Sequence, residues 1–137
     1  MKYQKNFTSL IIYAMITNKT INQKIREGKI KVGILCAGDE EVAPFLPLLN
    51  NCKLTEKAML KFYEGQIDGL EVVTLFSGVC KVNVAIASQL LIDVFGVDLI
   101  INSGTAGGMN PDLQIFDTVI STEVCYHDVA KDILTDF

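Results

Sequence analysis

The chain has a single histidine, His127, and its four cysteines, Cys36, Cys52, Cys80 and Cys125, contain no CxxC pair. That scarcity excludes the usual structural zinc sets, which need closely spaced Cys and His ligands. The cysteines read as reduced core thiols of a cytosolic protein. A nucleophilic cysteine paired with His127 is disfavoured, because nothing local lowers a thiol pKa. No apolar run is long enough to span a bilayer, and no segment repeats or is of low complexity. Basic charge is scarce beyond the N-terminus. Residues 1 to 31 hold seven of the 12 Lys and Arg against the single acid Glu27, whereas residues 32 to 137 hold five against fifteen acids. An acidic body lacks the clustered basic face that phosphate contact requires, which argues against a nucleic-acid partner.

What is present suffices for one core. The chain has 137 residues, half of them apolar, enough for one domain and too few for two. The first thirty residues stand apart as an extension, with the domain proper over 31 to 137. Lys2 and Lys5 before "SLIIYAMI" imitate a secretory signal, but the run is short, no A-x-A pattern follows, and "TNKTINQKIREGKI" is polar and basic. The extension reads instead as a frayed end, a short amphipathic helix, or a start placed upstream of the true one.

From Lys31 the organisation is clearer. "KVGILCA" is a compact apolar run ending in small residues, as a buried strand should be. Asp39 is expected to cap a helix whose first turn carries Glu40 and Glu41, where carboxylates suit the positive end of the dipole; Pro44 and Pro47 limit it. "MLKFYEGQI" and "LEVVTLF" flank Asp68-Gly69, a pair that favours the tight type I′ hairpin turn. A helix is expected over 82 to 95, with Val82, Ile86, Leu90 and Val94 on one stripe and Ala87 and Leu91 beside it, ended by Gly96. "VDLIINSG" reads as a second parallel-type strand and "FDTVIST" as a third, after the turn "GMNPDLQI". These elements define an α/β domain with a mostly parallel or mixed central sheet.

Ligands of such sheets sit outside the carboxyl ends of the strands. Three loops qualify: "CAGDEEV", "SGVCKVN" and "NSGTAGGMN", each combining small residues with a polar group. "GTAGG" matches neither the dinucleotide fingerprint nor the phosphate loop. Taken residue by residue, Glu40 and Glu41 could be ordinary helix-start charge, Thr105 a solvated turn hydroxyl, and Ser77 and Gly78 a plain strand-to-helix turn. Lys81 reads as a solvated helix-start lysine, and His127 beside Asp128 as structural.

In order and spacing, "VGILCAGDEEV", "YEGQIDGLEVVTLFSGVCKVNVA", "VDLIINSGTAGGMNPDLQIFDTVIST" and "YHD" resemble the 5′-methylthioadenosine/S-adenosylhomocysteine nucleosidases of the purine nucleoside phosphorylase superfamily. The resemblance covers roughly residues 31 to 129. It implies a three-layer α/β/α fold with a mixed central sheet, assembled as a cytoplasmic homodimer that needs no metal or organic cofactor. The implied reaction is hydrolysis of the N-glycosidic bond of methylthioadenosine or S-adenosylhomocysteine. Its products are adenine and methylthioribose or S-ribosylhomocysteine, as in methionine salvage.

By the same resemblance Glu41 is the carboxylate that orients and deprotonates the attacking water, and Thr105 touches water and ribose. Ala106 and Gly107 offer backbone to adenine, and Val79 matches an apolar position near base and sugar. The chemistry is consistent with those roles, since an oxocarbenium-like transition state needs a water held on one face by a base.

The chain also departs from the family. Cys36, Gly38 and Cys80 stand where members commonly carry Gly or Met, and "AKDILTDF" leaves the pattern. Members are considerably longer, and the aspartate that protonates adenine, the ribose-gripping Met-Glu pair and the stacking aromatic lie in their C-terminal half. No residue here is assigned to those tasks. The expectation is therefore a truncated nucleosidase. The alternatives are a catalytically incomplete remnant that serves as an interaction or dimerising module, or a purine nucleoside phosphorylase-like enzyme. Hydrolysis is preferred to phosphorolysis because Glu41 would repel a phosphate.

Overall fold

Among the described residues five strands form one mixed sheet, in the spatial order Asn50–Lys57 (β2), Leu60–Ile67 (β3), Leu70–Phe76 (β4), Lys31–Cys36 (β1) and Leu99–Asn102 (β5). The structure, a computed structural model, describes residues 19–108 and 110–121. Cys125, His127, Asp128 and the residues before Lys19 lie outside that range.

The apolar run at the start of the domain is β1 (Lys31–Cys36), buried from Val32 onward. It holds the middle of the parallel part because beyond Lys31 it has no charged or strongly polar side chain to keep wet on either face. It pairs in parallel with β4 (Leu70–Phe76), register Ile34 to Thr74, and with β5 (Leu99–Asn102), register Ile34 to Ile101. β3 (Leu60–Ile67) and β4 form the expected hairpin, and Asp68 and Gly69 both take the positive φ that a type I′ turn demands (+51° and +82°).

One strand is additional to the sequence reading. β2 (Asn50–Lys57) runs antiparallel to β3 at the sheet edge, with a bulge between Asn50 and Lys53. Its turn places Ala58 and Met59 at φ +49° and +64°. Neither is a residue that favours positive φ, so no Asn-Gly or Asp-Gly signal announces the hairpin. The expected third strand, "FDTVIST", is a correction. Residues 116–121 form no strand and are exposed, and β5 remains the edge beside them. A strand exists only where a ladder partner satisfies its backbone, and the described residues provide none there.

The sheet carries a core on each face. One is built on Val32, Ile34, Cys36 and Val72, and is closed by Val42, Leu49 and half-buried Phe45 and Leu46. Those closing residues come from α2 (Asp39–Val42), from the 3-10 turn Leu46–Leu48 and from the segments beside them. As expected, Pro44 and Pro47 keep this covering layer short. α1 (Lys19–Arg26) adds Ile25 to the same core. It is tied to the start of β5 by the Lys24 ammonium donating to Asp98, whose second oxygen accepts from Lys31 N at 3.1 Å. A short helix is one of the forms the sequence allowed for this segment.

The opposite core joins Leu35, Val73 and Leu75 to α3 (Lys81–Asp93) through Ala87 and Leu91, with Phe62 stacked on Phe95 at 4.3 Å between ring centroids. The face of α3 differs from expectation. Val82 and Ile86 are 70% and 49% exposed, while Ala87 and Leu91 are fully buried. The helix is apolar on nearly all sides, so periodicity does not select a face. Close packing does: small Ala87 allows near approach, and Leu91 sits 3.1 Å from where a Cβ on Gly33 of β1 would lie. Gly96, at φ +63°, closes the helix end as expected.

The cysteines divide. Cys36 is buried, but Cys52 and Cys80 are exposed and so are not core thiols. Cys52 lies on the edge strand and Cys80 in a loop, where no second layer covers them.

Thr74 is fully buried in β4, and its hydroxyl has no hydrogen-bond partner. An unsatisfied buried hydroxyl opposes folding, whereas a methyl of the same shape would not. Thr74→Val is therefore expected to stabilise the fold by about 1 kcal/mol. A raised melting temperature would bear this out; an unchanged or lower one would mean that the hydroxyl is satisfied in solution.

Candidate active site

The loops that follow β1, β4 and β5 lie at the carboxyl ends of the three parallel-paired strands. A single side chain fastens the first to the last. Glu41, the third residue of α2, accepts four hydrogen bonds. Its Oε2 accepts from Ala37 N at 2.9 Å and Gly38 N at 3.2 Å. Its Oε1 accepts from Thr105 N at 2.8 Å and from the Thr105 hydroxyl at 3.0 Å.

The local sequence explains this reach. Gly38, not Asp39, is the N-cap: its backbone is extended (φ −127°, ψ 163°) and its carbonyl accepts from Val42 N at 3.3 Å. Glu41 thereby falls at the N3 position, from which a glutamate folds back onto the cap N–H. Had Asp39 been the cap, Glu41 would stand one position earlier and point elsewhere. Asp39 instead uses its carboxylate to accept from Glu40 N. Glu40 is exposed in the first turn, among the acids that suit the helix dipole.

Gly104 completes the fit. A Cβ built there would lie 2.7 Å from Glu41 Oε1 and 2.9 Å from Cδ. The loop after β5 can close over the carboxylate only because that position has no side chain. The small-residue loop "NSGTAGG" is thus a place of close approach, and what approaches first is Glu41 of the same chain.

Four donors on one carboxylate favour its charged form. The Glu41 carboxyl is lowered from 4.5 to about 2. The cause is first the Thr105 backbone N–H, then the Ala37 N–H and the Thr105 hydroxyl, against a small opposing effect of burial. Beside it, burial and the charge of Glu41 push the Cys36 thiol up to about 11. Cys36 is held as a neutral thiol, and the low-pKa pattern of a nucleophilic cysteine does not arise there.

The sign of the Glu41 shift sets a testable pH dependence. Because the folded-state pKa lies below the unfolded value, the latch contributes stability fully above about pH 4.5 and loses it as pH falls toward 2. Carbon-13 NMR of the glutamate carboxyls should show one titrating well below the rest. In Thr105→Ala that resonance should move up toward the ordinary range, since one donor is gone. A Glu41 resonance that titrates near 4.5 in the native chain would overturn the latch.

Thr105, Ala106 and Gly107 are exposed in the loop after β5, and Val79 is 69% exposed in the loop after β4. The structure joins Glu41 to Thr105; no hydrogen bond of Glu41 reaches Val79, Ala106 or Gly107. Sequence reading missed the donors at Ala37 and Gly38 and the close approach at Gly104. The interval from Gly38 to Glu41, a cap followed three residues later by Glu, was the available signal.

Loops gathered by a carboxylate at the carboxyl ends of parallel strands place this chain among the open α/β domains, which hold their ligands at that end of the sheet. Residues 31–136 match the sequence model of the phosphorylase superfamily, and the chain belongs to that family.

Among curated relatives, the 5′-methylthioadenosine/S-adenosylhomocysteine nucleosidase of Colwellia psychrerythraea is 46% identical over 100 residues, 73% of this chain and 41% of its own length. That of Halalkalibacterium halodurans is 48% identical over 99 residues, 72% of this chain and 43% of its own length. The chain thus spans less than half the length of these relatives. A solved structure of the Colwellia psychrerythraea nucleosidase in complex with adenine is similar with a TM-score of 0.74 at 44% identity, covering 77% of this chain and 43% of that one. The α/β architecture with its mixed sheet is therefore that of the nucleosidases. Among the described residues no helix is long and apolar enough to cross a membrane.

Proposed function

We propose that this chain carries the water-activating half of a nucleosidase site. The site would hydrolyse the N-glycosidic bond of methylthioadenosine or S-adenosylhomocysteine, the substrates named for its relatives. The observation that carries the reading is the Glu41 carboxylate bridging the loops after β1 and β5. It is kept anionic where an attacking water would stand.

In this reading Glu41 orients the water and receives its proton. Each carboxylate oxygen already accepts two donors, so a water enters by taking the place of the Thr105 hydroxyl on Oε1 or by donating to that hydroxyl. Backbone at Ala106 and Gly107 lies against adenine, and Val79 borders base and sugar. Protonation of the departing adenine is assigned to no residue of this chain.

Hydrolysis fits better than phosphorolysis for a structural reason. The backbone donors of Ala37, Gly38 and Thr105, which could otherwise hold an anion, are already engaged by Glu41. A phosphate would meet a carboxylate there. The reading extends to a cytoplasmic enzyme that pairs as a homodimer when the whole domain is present, covering apolar surface such as Val82 and Ile86 of α3. Sedimentation of the completed domain tests the pairing, and a monomer there at micromolar concentration would count against it.

Two measurements test the function. Adenine added to the purified chain should shift the amides of residues 104–108 and 77–80, and millimolar adenine without such shifts would refute the site. Adenine release from methylthioadenosine should be independent of phosphate; a rate that requires phosphate would refute hydrolysis.

A further inference from the structure

The loop after β4, Ser77 to Cys80, is the one site loop that the Glu41 latch does not hold. Its backbone takes positive φ at two positions, Gly78 at +81° and Cys80 at +83°, on either side of Val79. Glycine accepts such a conformation freely, but a cysteine has a Cβ that opposes it. Left alone, Cys80 would relax to negative φ and swing Val79 with it. Ser77 anchors the near end, buried, with its N–H on Cys36 O at 2.9 Å and its hydroxyl on Gly78 O at 2.8 Å.

The far end is held from α3. Asn83 Nδ2 donates to Val79 O at 2.7 Å, and the same nitrogen lies 3.1 Å from where a Cβ on Gly78 would stand. Behind it, Val84 N donates to Cys80 O at 3.2 Å. One exposed amide therefore spans the two residues that lie between Ser77 and the strained Cys80.

We propose that Asn83 is a positioning residue. By pinning the Val79 carbonyl it keeps the loop in its two-positive-φ conformation and presents the Val79 side chain to a bound adenine nucleoside. The second part of this statement rests on the nucleosidase reading; the first does not.

The test uses the whole chain and its Asn83→Asp and Asn83→Ala variants. It combines hydrogen exchange followed by mass spectrometry with adenine affinity measured by calorimetry. Asp is isosteric with Asn but cannot donate, and it favours a helix start. If Asn83 served only the helix, the Asp variant would match or exceed the native chain. Pinning the loop predicts the opposite. Amide exchange of residues 78–80 should rise about five- to tenfold in both variants, the factor a lost hydrogen bond of ordinary net strength gives. Exchange in β1 and β4 should stay at native rates, and adenine should bind more weakly by a similar factor. Loop exchange at the native rate in Asn83→Asp, or a rise spread evenly over the chain, would overturn the proposal. A native chain that binds no adenine would overturn the nucleosidase reading instead, and the exchange rates would still decide the role of Asn83.

Discussion

Glu41→Gln is expected to lower the rate of adenine release from methylthioadenosine by roughly 10²- to 10⁴-fold, the usual contribution of a positioned general base. The substitution keeps the shape of the side chain and removes its charge, so the loss should fall on turnover, with adenine affinity changed only a few-fold. It also has a structural signature. The two carboxylate oxygens face backbone donors on both sides: Ala37 and Gly38 on Oε2, Thr105 on Oε1. A glutamine must turn its amide nitrogen toward one of them. The less costly choice faces Thr105, whose hydroxyl can rotate to accept while its N–H loses its partner. The expected cost is about 1 kcal/mol, at the low end for an unpaired donor because the position is open to water. Steady-state kinetics and thermal melting measured together separate the two effects. If Glu41→Gln turned over at the native rate, the base assignment would be wrong.

The fold was legible where one physical demand decided a segment. The uninterrupted apolar run of β1, the Asp68-Gly69 turn and the Gly96 stop each admit little else. Legibility failed where the sequence offered several equivalent choices. α3 is apolar nearly all round, so only the close approach of Ala87 and Leu91 to the sheet tells which side faces in. β2 has charged or polar side chains over most of its length and turns through Ala58 and Met59, residues that give no turn signal. Residues 116–121 have the composition of a strand, but pairing is a property of the neighbouring chain and not of the segment.

The site shows the same division. The three loops follow from strand ends and small residues, whereas helix-start position alone does not separate Glu41 from Glu40, and only the family resemblance singles it out. The four-donor latch needed the exact cap residue, which differs by one position from the one that composition suggests. Asn83 carried no signal at all in the sequence, since its effect depends on the conformation of Val79 four residues earlier.

Gly104→Ala should act as strongly as removal of Glu41 itself, although it adds one methyl and touches no charge. Gly104 is not among the positions with positive φ, so alanine can adopt its backbone conformation, and any effect must come from contact. The added Cβ would sit 2.7 Å from Oε1 and 2.9 Å from both Cδ and Oε2 of Glu41. Either the carboxylate leaves or the loop lifts, and in both cases its hydrogen bonds to Thr105 break. The Glu41 carboxyl should then titrate closer to 4.5, and adenine release should fall to the level of Glu41→Ala. The melting temperature should drop by only a few degrees, because the contact lies at the exposed end of the sheet and both cores are untouched. A Gly104→Ala chain with a native Glu41 titration would show that the loop yields without loss, and the close approach at that glycine would not be what aligns the carboxylate.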